Sequence, residues 1–216
     1  MPVFLRRILA FCAMALVAAG CARAADYPSH PVRVLVGYAP GGTTDFSGRL
    51  IAQALSAQLK QPFVVENMVG ASGTKAAEEV VHSAPDGYAL YVADSTFSML
   101  PWVYGQLKWK PESDLKLAAM IMQAPAVLVV APGSPFKSVR EIIEHARQHP
   151  DQLSYGSAGV GTSVHLYAEL FQQQAKIKLV HREFNGSGEA VKAVQSGKVD
   201  LMFTALPSAL KSLKEG

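Results

Sequence analysis

Residues 33–59, RVLVGYAPGGTTDFSGRLIAQALSAQL, constrain the fold more than any other stretch of this chain. Val34, Leu35 and Val36 form a short apolar run suited to a strand covered on both faces. Gly41 and Gly42 follow, and glycine turns the backbone sharply at low steric cost. Thr43 or Thr44 is expected to cap the helix that comes next. Phe46, Leu50, Ile51, Ala54, Leu55 and Leu59 recur at helical spacing and predict its apolar face. A strand–turn–helix unit of this kind leaves free amide N–H groups at the helix start, where an anion can sit. One half of a ligand cleft is therefore expected at Gly41, Gly42, Thr43, Thr44 and Asp45.

The same arrangement repeats along the chain. Residues 62–66 (PFVVE) read as a second strand, and a two-glycine loop leads to a helix with Ala76, Ala77, Val80 and Val81 on one face. Ser72 or Thr74 is the expected cap of that helix. Ala84-Pro85-Asp86-Gly87 stops it, and residues 88–93 (YALYVA) resume as a strand ending in Asp94, Ser95 and Thr96. This βαβαβ pattern implies a parallel sheet with right-handed crossovers. Residues 101–116 look like a surface excursion, with Trp102 and Trp109 as packing anchors. Residues 126–131 (AVLVVA) predict a strongly buried strand, and Ser138 to Glu141 has capping-box spacing before a helix that stops ahead of Pro150.

The opening theme then returns. Gly156-Ser157-Ala158-Gly159-Val160-Gly161-Thr162-Ser163 leads into a helix over 162–174, followed by a strand at 177–182. Asn185-Gly186-Ser187-Gly188 opens another helix, Gly197 is placed to end it, and residues 199–203 form a strand before a last helix from Pro207. Two βαβ sets with glycine-rich turns predict two α/β lobes, with a cleft where the carboxyl ends of their strands face each other.

The N-terminus belongs to a different category. Arg6 and Arg7 precede an apolar run at 8–19 and then small residues, the pattern of a secretory signal peptide. Ala22-Arg23-Ala24 fits cleavage before Ala25. Ala19-Gly20-Cys21 also resembles a lipoprotein signal that would lipidate Cys21. Three of the chain's twenty basic residues lie in positions 1–24, where there is no acid, so 17 remain to balance 17 acidic ones. A nucleic-acid partner thereby loses its electrostatic support. Both cysteines, Cys12 and Cys21, fall in the removable segment, leaving no disulfide framework and no thiol nucleophile. Half of the residues are hydrophobic and 17% charged, enough apolar material for a substantial core.

The glycine turns invite nucleotide readings that their spacing does not support. Gly156 and Gly161 are spaced as in a P-loop, yet Thr162-Ser163 stands where Lys-Ser/Thr is required; Gly37 and Gly42 are likewise followed by Thr43-Thr44. Val164 occupies the third glycine position of a dinucleotide fingerprint begun by Gly159 and Gly161. A small carboxylate held by amides and hydroxyls fits better than a triphosphate, and no cofactor or metal is expected. His30, His82, His145, His149, His165 and His181 show no metal-binding spacing, and G-x-S-x-G is absent. His165 either lines a pocket or bonds within its helix start. Asp45 either reaches a ligand through water or favours its helix N-terminus.

Together the segments YPSHPVRVLVGYAPGGTTDFSGRLIA, QPFVVENMVGASGTKAA, APDGYALYVA, residues 132–150, LSYGSAGVGTSVHLYAELF and SGKVDLMF resemble the substrate-binding receptors of tripartite tricarboxylate transporters, also called Bug receptors. The resemblance implies a type II periplasmic-binding-protein fold whose two α/β lobes close on a small carboxylate. It implies that Gly41–Asp45 faces Ser157, Gly161, Thr162, Ser163 and His165, with Ser95, Thr96, Asn185 and Gly186 completing the pocket. Thr204 stands where the family commonly has an aspartate, a departure that bears on ligand choice. Lobes over 25–123 and 124–216 follow, with the first lacking a C-terminal return segment that relatives carry.

The function expected is that of an exported, periplasmic, monomeric and non-enzymatic receptor. It would deliver a small carboxylate to membrane permease subunits. A receptor presenting the same ligand to a membrane sensor is the alternative; an exported hydrolase would need a nucleophile–base pair that the sequence does not identify.

Overall fold

The computed structural model describes residues 27–215 of the chain. The predicted export segment at 1–24, Cys21 included, lies outside the described residues. Strands β1 (Val32–Val36), β2 (Phe63–Asn67) and β3 (Ala89–Val92) form a parallel sheet in the order β2-β1-β3. Helices α1 (Thr43–Leu59) and α2 (Thr74–Val81) make the crossovers, as the βαβαβ pattern predicts. Two short helices, α3 (Leu100–Val103) and α4 (Pro111–Asp114), follow, and Trp109 is buried there against Phe97 and Leu100. Trp102 is 89% exposed, so only one of the two expected aromatic anchors packs.

The second sheet has the order β4-β7-β5-β6, from β4 (Ala126–Val130), β5 (Ser154–Ser157), β6 (Val180–Glu183) and β7 (Leu201–Ala205). Helices α5 (Val139–Gln148), α6 (Ser163–Ala175) and α7 (Ser187–Gln195) connect its strands, and α8 (Leu206–Glu215) follows β7. Alternate residues of β7 feed two cores. Leu201 joins Tyr155, Ile142 and Ala168 on one side, while Met202 joins Val191, Val194 and Ala209 on the other. The β4 strand departs from expectation. It runs antiparallel to β7 at the sheet edge and is only partly buried, because it has a strand neighbour on one side alone.

Helix ends show where local signals hold. Ser138 accepts from the Glu141 N–H at 3.3 Å, and Gly197 ends α7 with a left-handed φ of 70°, its N–H donating to Val194 and that of Lys198 to Ala193. That double bond pattern is a Schellman motif. The expected threonine and serine caps of α1 and α2 are not made; Gly42 and Gly73 hold those positions without side-chain caps.

The buried face of α1 also differs from the periodic one. Phe46 and Leu50 are 52% and 51% exposed, whereas Thr44, Asp45, Ser47, Gly48 and Ala52 face inward, with Leu55 and Leu59 packing on the sheet core. The reason is distance. A Cβ built on Gly48 would come within 2.9 Å of Val36 and 3.4 Å of Val92, so the helix lies too close to the sheet for large side chains there.

Candidate functional site

The turn after β1 positions the first part of the site. Gly41 takes a φ of 92°, and its N–H donates to Asp45 Oδ2 at 2.9 Å. Asp45 also accepts from Arg49 at 2.9 and 3.1 Å and from Asn67 at 2.9 Å. Burial pushes its carboxyl up, but these donors outweigh it and hold the carboxyl below the usual range. Asp45 is thus committed to the turn of its own lobe.

Three helix starts converge between the lobes. Thr43, Ser163 and Ser187, the first residues of α1, α6 and α7, line a chamber of about 20 Å³ with Tyr38, Thr44 and Asp94. That volume has room for one water-sized group. Hydroxyls from the facing lobe meet the amides. The Thr43 N–H donates to Ser208 Oγ at 2.8 Å, with the Thr43 and Ser208 hydroxyls 2.6 Å apart; the Ser163 N–H donates to Thr96 Oγ1 at 3.1 Å. Three more bonds tie the lobes, from the Ala39 N–H to the Asn185 carbonyl at 3.0 Å and from the Ser72 and Tyr104 hydroxyls to the Val160 carbonyl at 2.6 and 3.4 Å. An anion larger than one water enters only as the Ser208 and Thr96 hydroxyls give way, and a charged acceptor then makes the stronger bond to each amide.

Beside the chamber lies a wider opening of about 430 Å³, which shares Tyr38 and Ala158 with it and is lined by Ser72, Tyr104, Gly159, Asn185, Glu183 and Glu189. Its size suits a small ligand; its charged side chains, Glu183 and Glu189, are acids, as is Asp94 in the chamber. The chamber differs in being lined by three helix N-termini, surroundings that favour an anion.

The other expected residues divide between lining and support. Gly42, Thr162 and Ser163 line the chamber, and Thr162 caps α6, accepting from the His165 N–H at 3.4 Å while donating to the Gly159 carbonyl at 2.7 Å. Gly186 starts α7 close to Ala39. Gly161 has a φ of 77°, and a Cβ there would come 2.2 Å from Val103 across the cleft. Ser95 is exposed in the turn after Asp94 and lines neither cavity. Thr204 is buried on β7 opposite Val127; its hydroxyl finds no hydrogen-bond partner among the described residues, and it too lines neither cavity.

Histidines scattered in sequence come together in space. The His165 and His181 rings lie 4.4 Å apart, both stacked near Tyr155, whose hydroxyl donates to Glu169. The Gly161 N–H donates to His165 Nδ1 at 3.2 Å, so a neutral His165 carries its proton on Nε2, 3.8 Å from Glu169. His165 therefore takes the helix-start bonding role. Burial pushes both imidazoles below the ordinary histidine range, and His165 lowers His181 further, while Glu169 and Glu183 pull upward. His181 Nε2 also lies 2.7 Å from Ser157 Oγ, the spacing of a nucleophile–base pair. Ser157, however, has no exposed surface and lines neither cavity; its hydroxyl also meets the Gly159 N–H at 3.2 Å and so braces the turn.

Sequence reasoning missed Asp94 and Ser208 as cleft residues. In the sequence Asp94 is one of the polar residues that end a strand, and Ser208 sits in a helix start with no glycine turn to flag it.

A family model described as the tripartite tricarboxylate transporter family receptor matches residues 48–216. The chain belongs to that receptor family. Among relatives of this family member, a UPF0065 protein of Bordetella pertussis is 33% identical over 216 residues, covering all of this chain and 66% of that protein. An R. palustris protein solved with adipate is 32% identical with a TM-score of 0.85, over 88% of this chain and 64% of the other. MatC from Rhodopseudomonas palustris, with bound malate, is 32% identical with a TM-score of 0.81, over 88% and 65%. The chain spans slightly less than two thirds of the length of these relatives. The expected two-lobed type II periplasmic-binding-protein fold is borne out. No helix among the described residues is long and apolar enough to cross a membrane.

Proposed function

We propose that the protein is an exported solute-binding receptor. It captures a small carboxylate between its lobes in the periplasm and, as a monomer, delivers it to the membrane permease subunits of a tripartite transporter. The observation that carries this reading is the convergence of three helix N-termini on one chamber at the lobe junction. Each helix end contributes about 0.3–1 kcal/mol toward an anion, and more when the site is partly buried. Solved relatives bearing adipate and malate support a carboxylate as the solute class. In this reading Gly42, Thr43, Thr44, Thr162 and Ser163 touch the ligand, and Thr96 yields the Ser163 N–H to it. Gly41, Asp45, Ser157, Gly161 and His165 hold those turns in shape, and Asn185 and Gly186 close over it.

A thermal-shift panel tests the reading. A carboxylate at 100 times its dissociation constant should add about 2.7 kcal/mol to folding stability. Adipate, malate or a related acid is expected to raise the melting temperature, while sugars and simple cations do not. A shift with a sugar or cation and with no carboxylate contradicts it.

A further inference from the structure

The chamber between the lobes already contains a carboxyl group. Asp94 follows β3, and its side chain lines the chamber with Thr44 and Ser163. Its Oδ1 accepts from the Thr96 N–H at 2.9 Å and from the Tyr38 hydroxyl at 3.4 Å, and its Oδ2 accepts from the Thr44 hydroxyl at 3.4 Å. No Lys or Arg among the described residues forms an ion pair with it. The titratable groups whose charge it meets are Tyr38 and Tyr91, both pushed up by burial and so neutral. The Thr96 hydroxyl also bonds the carboxyl, and with four oxygen lone-pair positions in all the group keeps room for a proton or a further partner.

A ligand carboxylate brought into so small a space lies against Asp94. Two carboxylates sharing a site without a cation do not both stay ionised; the pair holds one proton. The helix N-termini then face one negative charge rather than two. The geometry points to proton-linked capture: the incoming carboxylate pairs with a protonated Asp94, the two carboxyl groups sharing one proton drawn from solvent. The inference rests on the receptor reading above. Burial already pushes the Asp94 carboxyl above the usual carboxylate range, with its hydrogen bonds opposing that shift. Because the complex holds the proton more tightly than the free protein, affinity falls as pH rises through the titration of free Asp94.

Titration calorimetry with adipate and malate, run from mildly acid to mildly alkaline pH, tests this. The dissociation constant of the wild type is expected to rise about tenfold per pH unit above the titration of free Asp94. Binding heats measured in buffers of different ionisation enthalpy should report uptake of close to one proton per ligand. Asp94→Asn, which keeps the acceptor for Thr96 and gains a donor toward the chamber, should bind with a dissociation constant independent of pH. A pH-independent wild-type affinity without proton uptake overturns the inference alone. So does weaker binding by Asp94→Asn with no pH slope in the wild type, the behaviour of an ionised Asp94 that serves as an acceptor. Failure of both proteins to bind any carboxylate overturns it together with the receptor reading.

Discussion

Gly188→Ala is expected to weaken carboxylate binding by about a hundredfold without lowering the stability of the fold. The residue lies in the first turn of α7 with an ordinary helical backbone, where alanine is favoured over glycine by about 1 kcal/mol. Its surroundings reverse that gain on closure. A Cβ at 188 would stand 2.8 Å from the Gly41 carbonyl carbon, 3.0 Å from its oxygen and 3.0 Å from the Gly42 nitrogen, all main-chain atoms of the facing turn. Main chain cannot swing aside as a long side chain does, so the lobes must stay apart by several tenths of an ångström. A penalty of about 2.7 kcal/mol on the closed form suffices for a hundredfold loss. Calorimetric titration together with urea unfolding measures both quantities. Wild-type affinity in Gly188→Ala would mean that capture does not require this approach of α7 to the Gly41–Gly42 turn.

Tyr155→Ala carries the largest expected loss of stability, about 3–5 kcal/mol. Tyr155 is the largest of the fully buried side chains, packed among Leu153, Ala168, Leu179 and Leu201 and flat against the His181 ring at 4.8 Å. Truncation opens a cavity in the core on one face of the second sheet and frees the two histidines that brace the turns at Ser157 and Gly161. Tyr155→Phe keeps the packing and removes only the hydroxyl bond to Glu169, with an expected cost of about 1 kcal/mol. Urea denaturation of the two variants separates these contributions: equal losses would show that the hydroxyl, rather than the ring, holds this core.

The parts legible in the sequence were those governed by short-range rules. Apolar runs bounded by glycine turns placed the parallel strands, and Gly197 and Ser138 marked helix ends correctly, because each signal acts within a few residues. Membership of the receptor family was legible for the same reason: its motifs are these turns. What escaped depended on distance in the fold. Periodicity nominated Phe46 and Leu50 for burial, but the close approach of Gly48 to Val36 decides which face of α1 meets the sheet. The apolar residues 126–131 predict a strongly buried strand, and only the pairing with β7 reveals a partly buried antiparallel edge. The sequence offers Thr43 or Thr44 as the helix cap; neither caps it, and the Thr43 amide is met by Ser208, 165 residues further along the chain. Asp94 carries no such signal in the sequence, because a polar residue ending a strand is ordinary. Its place opposite the start of α6 exists only once both lobes are assembled.

The central claim is that a carboxylate is held between the helix starts of opposing lobes. A crystal structure of the protein saturated with malate tests it most directly. The expected result is a carboxylate within about 2.7–3.1 Å of the Thr43 and Ser163 amides, beside Asp94, with the Ser208 and Thr96 hydroxyls displaced from those N–H groups. Malate seated elsewhere, with the Thr43 amide still donating to Ser208 and the Ser163 amide to Thr96, would contradict the account.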